Sequence, residues 1–323
     1  MRLLFLFFIS TLAMAGEISG VVIDGTRDNQ NGKADLVNLV SLDRGMVVLG
    51  SVPNATGAFT IPFDDASSGK PMLLQAIKDG VTYTSSRISP DTINRITVYD
   101  ASPDAKTVIT LGSVGIYAYD EIVEIGSFYE LSNIHSPPTS LLKDTPVISF
   151  RPPLGHTELQ ASTQQGEKPP LKRPLSLEDG VASSSFAVKP GQTIMRVHTR
   201  HAYKAGEKNS YVIPLLPDQN KLRLLLLPLT MSAEGEGITL ATRDEQSNVS
   251  LYTFQRQPGQ TEIRVEISGT PDTSRGDAVA TNSGQSQQHA VENTPNHLSN
   301  FRFAIMGSIF LILVLASLFG LRN

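Results

Sequence analysis

The sequence predicts a mainly β body carried on a single membrane-spanning helix. Three observations predict it. Short apolar or alternating runs recur at roughly ten-residue spacing between Gly, Pro, Asn and Asp, the rhythm of small antiparallel sandwiches. Helical periodicity is nearly absent from the interior of the chain. The two ends are apolar stretches of different length, which set the address rather than the fold.

The first end, residues 1–15, opens on Met1-Arg2, continues through Leu3-Leu4-Phe5-Leu6-Phe7-Phe8-Ile9 and closes on Ala13-Met14-Ala15. A basic start, an apolar stretch too brief to span a bilayer and a small-x-small end mark a signal peptide whose cleavage would leave Gly16; the alternative is an uncleaved N-terminal anchor. At the other end Phe303–Leu321 contains no charge and rises about 28 Å as a helix, close to the hydrocarbon thickness of a bilayer. Arg302 and Arg322 flank it symmetrically, so the leader sets the orientation. The body is then exported, periplasmic if the cell is Gram-negative, and only Arg322-Asn323 is cytoplasmic. Residues 301–321 are thus expected to engage the lipid bilayer.

Between these ends, Ile18–Ile23, Leu36–Leu42, Met46–Leu49, Ala58–Phe63, Met72–Ile77 and Val81–Thr84 read as the strands of a sandwich over residues 16–90. A second β-rich, sandwich-like domain follows over 91–269. Its runs are Ile96–Tyr99, Val108–Leu111, Ile116–Leu131, Val147–Phe150, Thr193–Tyr203, Tyr211–Leu216, Leu222–Leu227, Ile238–Ala241, Val249–Phe254 and Thr261–Ile267. In the last, Glu262, Arg264 and Glu266 alternate with Ile263, Val265 and Ile267, which gives one solvated face and one core face. Residues 270–300, rich in Ser, Asn, Gln and Gly, have too few bulky apolar side chains to offset ordering entropy and read as a disordered stalk.

Composition removes several classes of function. The 323 residues contain no cysteine, which excludes disulfides, thiolate metal sites, a cysteine nucleophile and a lipidated N-terminal thiol. A net charge of -4 gives no reason to expect a nucleic-acid partner.

The first sandwich resembles the carboxypeptidase regulatory-like domain, a transthyretin-like fold. The resemblance rests on Ile18-Ser19-Gly20-Val21-Val22, Ala34-Asp35-Leu36-Val37-Asn38-Leu39, Val48-Leu49-Gly50-Ser51, Gly57-Ala58-Phe59-Thr60-Ile61 and the Gly80-Val81-Thr82-Tyr83 hairpin. Gly57 is the most characteristic piece, because the turn before its strand wants a glycine. The whole layout is similar to bacterial envelope proteins with this module near the N-terminus, a second β-domain and a C-terminal membrane helix. Val98-Tyr99-Asp100 and Val188-Lys189-Pro190-Gly191 resemble landmarks of that second domain, and Asn133–Asp144 departs from it as an insertion. The resemblance implies a non-catalytic accessory module and supplies no catalytic residues.

The residues themselves offer little chemistry. HExxH, GxSxG, Walker and GxGxxG patterns are absent, so no catalytic residue, cofactor or metal is expected. His198-Thr199-Arg200-His201 is the nearest approach to a metal pair, but on a strand its histidines face opposite ways. Arg196, His198 and Arg200 share the other strand face, and with Lys189 and Lys204 nearby they form either a basic strip for an anionic ligand or simply a solvent face. Carboxylate pairs at Asp64/Asp65, Asp120/Glu121 and Glu234/Glu236 read as solvated charges. Tyr117 and Tyr119 share a strand face near Phe128 and Tyr129 and serve either a ligand platform or the core. The expectation is a membrane-anchored envelope protein whose exported domains recognise or assemble with an envelope or membrane protein; the alternative is an envelope carbohydrate-binding module.

Overall fold

The computed structural model describes residues 15–28, 31–43, 45–64, 70–88, 92–166 and 168–273. Residues 1–14 of the expected signal peptide, 274–300 of the expected stalk and the apolar stretch 301–321 lie outside the described residues. Those that are described form strands, turns and bridges without a helix, and the fold is mainly β. Among them no helix is long and apolar enough to cross a membrane.

The chain separates into two compact units. Of the described residues, unit 1 holds those up to 112, 127–152 and 159–198, and unit 2 holds 113–126, 153–158 and 199–273. Unit 1 begins with β1 (Ala15–Asp24), β2 (Lys33–Ser41), β3 (Val47–Thr56), β4 (Ala58–Asp64), β5 (Met72–Lys78), β6 (Val81–Arg87) and β7 (Asn94–Val98). These make one sheet of order β4-β1-β7 and another of order β3-β2-β5-β6. Alternation puts Ile18, Val22, Val37, Leu39, Ile61, Leu74, Ala76, Ile96 and Val98 into a shared core, each under 3% exposed. Burying one such branched chain contributes roughly 1.5–3 kcal/mol, so this core is the main source of the sandwich's stability. Gly57 connects β3 to β4 at φ 62°, a left-handed turn where a side chain is strained, which is the reason the sequence pattern wants glycine there.

The chain continues as β8 (Ala101–Ser102), β9 (Thr107–Tyr119), β10 (Ile122–Asn133), β11 (Ser140–Leu141), β12 (Ile148–Phe150), β13 (Glu158–Gln165), β14 (Leu171–Arg173), β15 (Ser176–Glu178), β16 (Val181–Ser184) and β17 (Gly191–Ala202). Then come β18 (Asn209–Pro214), β19 (Lys221–Leu227), β20 (Met231–Glu234), β21 (Ile238–Asp244), β22 (Val249–Gln255) and β23 (Glu262–Gly269). In unit 1 the sheet order runs β14-β13-β17-β10-β9, beside a smaller β12-β16-β15 sheet. In unit 2 it runs β9-β19-β22-β21, beside β18-β23-β20. The Tyr252 hydroxyl of β22 accepts the Ala233 backbone N–H of β20 at 3.1 Å, tying the two unit 2 sheets together across Ile263, Val265 and Ile267, all fully buried.

One reading changes in detail. The run Ile116–Leu131 is not one strand: it turns back at Asp120, whose φ of 49° closes a tight hairpin between β9 and β10. Aspartate tolerates that conformation through local hydrogen bonding, and the unbroken apolar pattern hides the turn. Asn133–Asp144 is folded against its surroundings. The buried Asn133 amide donates to the carbonyls of Thr139 and Val188 at 2.8 and 2.9 Å. Ser140 and Leu141 bond to the Asp100 and Val188 backbones, so both landmark motifs meet this segment.

Candidate functional site

Strand β17 organises the residues singled out by sequence. Its alternation sends Met195, Val197, Thr199 and His201 into the core and leaves Arg196, His198 and Arg200 half-buried, as the period of a strand requires. The two histidines therefore face opposite ways.

Within unit 2, Arg200 is the hub. Its Nε donates to Glu124 Oε1 at 3.0 Å and its Nη1 meets Glu158 Oε2 at 2.6 Å. Burial alone would lower the proton affinity of the guanidinium, but the bond to Glu124 raises it, so the charge is secured. The Tyr119 hydroxyl donates to the same Glu124 oxygen at 2.9 Å. Tyr117 lies beside Tyr119 with ring centroids 5.3 Å apart and planes tilted by 31°, and its hydroxyl donates to Asp272 Oδ2 at 3.2 Å. The structure thus joins Tyr119 and Arg200 through the Glu124 carboxylate, which sequence did not reveal, with Tyr117 packed against Tyr119. Glu124 and Glu158 are 76 and 42 positions from Arg200, and nothing local marks them.

Arg196 and His198 belong to unit 1. The Arg196 Nε is buried with no hydrogen-bond partner among the described residues, and burial lowers the guanidinium's proton affinity. Of the two lysines named with them, Lys204 is exposed and lies 3.9 Å from Glu207. Lys189 instead sits over the Tyr83 ring, 5.3 Å from its centroid. Glu234 is committed to Lys208 at 2.7 Å.

On the core side of β17, His201 is 3% exposed. Its Nε2 lies 2.9 Å from Thr199 Oγ1, and its ring meets Tyr211 edge-on at 5.4 Å and His156 at 6.5 Å. Burial, followed by the neighbouring His156, pushes its pKa down to about 4, so it is neutral near pH 7. Among the described residues no three His, Asp or Glu side chains gather as a metal site.

The sheet margins of unit 2 add a second feature. At β21 one side pairs with β22 and the other ends the sheet. Thr239 through Arg243 are all exposed, which in a strand means both faces are open to solvent. Leu240 is 48% exposed. The pairing slips by a bulge between Leu240 and Thr242, but no proline interrupts the strand.

No protein-family model matches the chain, and no curated protein matches it. Among solved structures, the M1 zinc metallopeptidase from Deinococcus radiodurans aligns at 8% identity and a TM-score of 0.26. That alignment covers 49% of this chain and 42% of the peptidase, so the chain spans under half of its length. The fimbrial protein FimP from Actonomyces oris aligns at 9% identity and a TM-score of 0.19, over 80% of this chain and 85% of its own. At such scores neither likeness speaks to activity.

Proposed function

We propose that the chain is a non-catalytic, membrane-anchored envelope protein whose exported β-domains recognise or assemble with a partner protein. The first sandwich then acts as a carboxypeptidase regulatory-like module, residues 301–321 as the anchor, and the body as the exported part. The observation that carries the reading is β21, a seven-residue edge strand with both faces exposed and no proline. Unpaired N–H and C=O groups on such an edge are a template for a partner strand, giving affinity through main-chain bonds and selectivity through side chains such as Leu240. Fixing the body at a membrane raises its effective concentration toward a partner in the same layer.

The carbohydrate alternative draws on Tyr117 and Tyr119. Their planes are tilted, their hydroxyls are taken by carboxylates and Tyr119 is 7% exposed, so they make a poor flat platform. The test is in-cell crosslinking of the full-length protein in its membrane, followed by identification of what is joined to it. A reproducible membrane or envelope protein is the expected result; recovery of the chain alone would overturn the proposal.

A further inference from the structure

Three cations of unit 1 gather at one place, and among the described residues no carboxylate joins them. Lys168, in the connection from β13 to β14, donates its Nζ to the Thr84 carbonyl at 2.7 Å. Lys189, between β16 and β17, holds its Nζ 5.3 Å from the Tyr83 ring centroid. Tyr83 and Thr84 are neighbours on β6, so the two amines are anchored one residue apart. Arg173 on β14 lays its guanidinium over Phe186, 5.0 Å from the ring centroid, and donates its Nε to Thr163 Oγ1 at 2.7 Å. Phe186 and Lys189 lie in the same short segment.

All three cations are half-buried. Burial lowers the proton affinity of each, and in Lys189 the charges of Lys168 and Arg173 lower it further, to about 8. Among the described residues no carboxylate contributes to any of the three, whereas elsewhere in unit 1 Arg27 and Lys78 are matched by Asp24 and Asp100. Crowding like charges into a partly dry place is costly unless an anion completes it.

We propose that Lys168, Arg173 and Lys189 form a binding site for a dianionic phosphoryl group, that of free phosphate or of a phosphomonoester. A carboxylate would bring one charge to three cations; a phosphoryl group brings nearly two and has oxygens enough for all of them. Arg173 still has its Nη donors free of the Thr163 bond, and the rings of Tyr83 and Phe186 support two of the cations from beneath. Pro169 and Pro170 stiffen the connection between Lys168 and Arg173, so little freedom is lost on binding. The site needs no protein partner, and it stands or falls apart from the edge-strand proposal.

Full-length protein in an uncharged detergent and phosphate-free buffer is titrated calorimetrically with inorganic phosphate, sodium acetate and dihexanoyl phosphatidic acid. Saturable phosphate binding, with acetate about tenfold weaker or more, is expected. K168Q and K189Q should each weaken phosphate about tenfold, as loss of one charge-assisted partner does, while K204Q at the exposed Glu207 pair leaves it unchanged. Tighter binding of the short-chain lipid than of phosphate assigns the source to a lipid headgroup, and equal or weaker binding to a soluble phosphate; either supports the site. Absence of saturable phosphate binding, or wild-type affinity in both glutamine variants, overturns it.

A second measurement uses the wild-type chain alone. With its pKa near 8, Lys189 is about a quarter neutral at pH 7.5 and should acylate well before Lys204. Phosphate should slow labelling of Lys189 about fivefold or more by stabilising its charged form, and unchanged labelling contradicts the proposal.

Discussion

In the first sandwich the sheet margins are guarded in several ways. Edge strand β3 carries Pro53 and edge strand β4 carries Pro62. A Cβ on Gly50 of β3 would come within 2.6 Å of the Pro62 carbonyl, so those two margins lie against one another. At β6 the Thr84 carbonyl is taken by Lys168. The margin at β21 has none of these devices: its backbone runs without proline and its side chains are exposed from Thr239 to Arg243. Among the described residues, β3, β4 and β6 thus carry guards on their backbone edges that β21 lacks, which is the contrast the partner-strand proposal rests on.

Acid should distinguish the two regions most strongly. His201 is held neutral by burial, with a pKa near 4 against an unfolded value of about 6.5. Between those values the unfolded chain binds more protons, so stability falls as pH drops, by up to about 3 kcal/mol. The carboxylates of Asp24 and Asp100 behave otherwise. Burial opposes their charge, yet hydrogen bonds from Arg27 and Lys78 hold both below the usual range. Their stabilisation is complete above about pH 4 and is lost only below it. Denaturant midpoints measured from pH 7 to 4 should therefore decline in the wild type and flatten in His201→Gln; an unchanged slope in that variant would assign the acid sensitivity elsewhere.

Next in size is Gly50→Ala. The new methyl must push β3 away from Pro62 and Ile61, and a loss of about 1–3 kcal/mol in urea unfolding is expected. A harmless substitution would mean that the β3 and β4 margins are not closed as tightly as their approach indicates. Arg27→Gln should cost less, about 0.2–1 kcal/mol, because that side chain is 60% exposed although it meets both Asp24 and Asp100. Smallest on stability is Leu240→Lys, expected within about 0.5 kcal/mol at this exposed position. Its effect should appear in association, since an inserted lysine is a natural guard of an edge strand. Partner crosslinking that survives Leu240→Lys would remove β21 from the proposed interface.

Much of the sandwich was legible because its signals are local. The strands at Ala58–Asp64 and Met72–Lys78 coincide with alternating runs, and Gly57 marks its own turn. The β17 faces were legible for the same reason, as a period of two needs no knowledge of the rest of the fold. Strand β13, Glu158–Gln165, was missed because Glu-Leu-Gln-Ala-Ser-Thr-Gln-Gln buries only part of one face and reads as polar connection. The company of Arg200 was hidden too: Glu124 and Glu158 reach it only through tertiary pairing. The same holds for Lys189, whose neighbours come from two distant stretches, Lys168 and Arg173 near β14 and Tyr83 on β6.

The comparison of edges reduces to one experiment. A photo-crosslinking amino acid is placed at Thr242 on β21 or at Val48 on β3, both exposed, and the full-length protein is irradiated in its native membrane. An adduct to another protein from position 242, absent from position 48, is the predicted result. Adducts of equal yield from both positions, or none from 242, would contradict the account of β21 as the recognition edge.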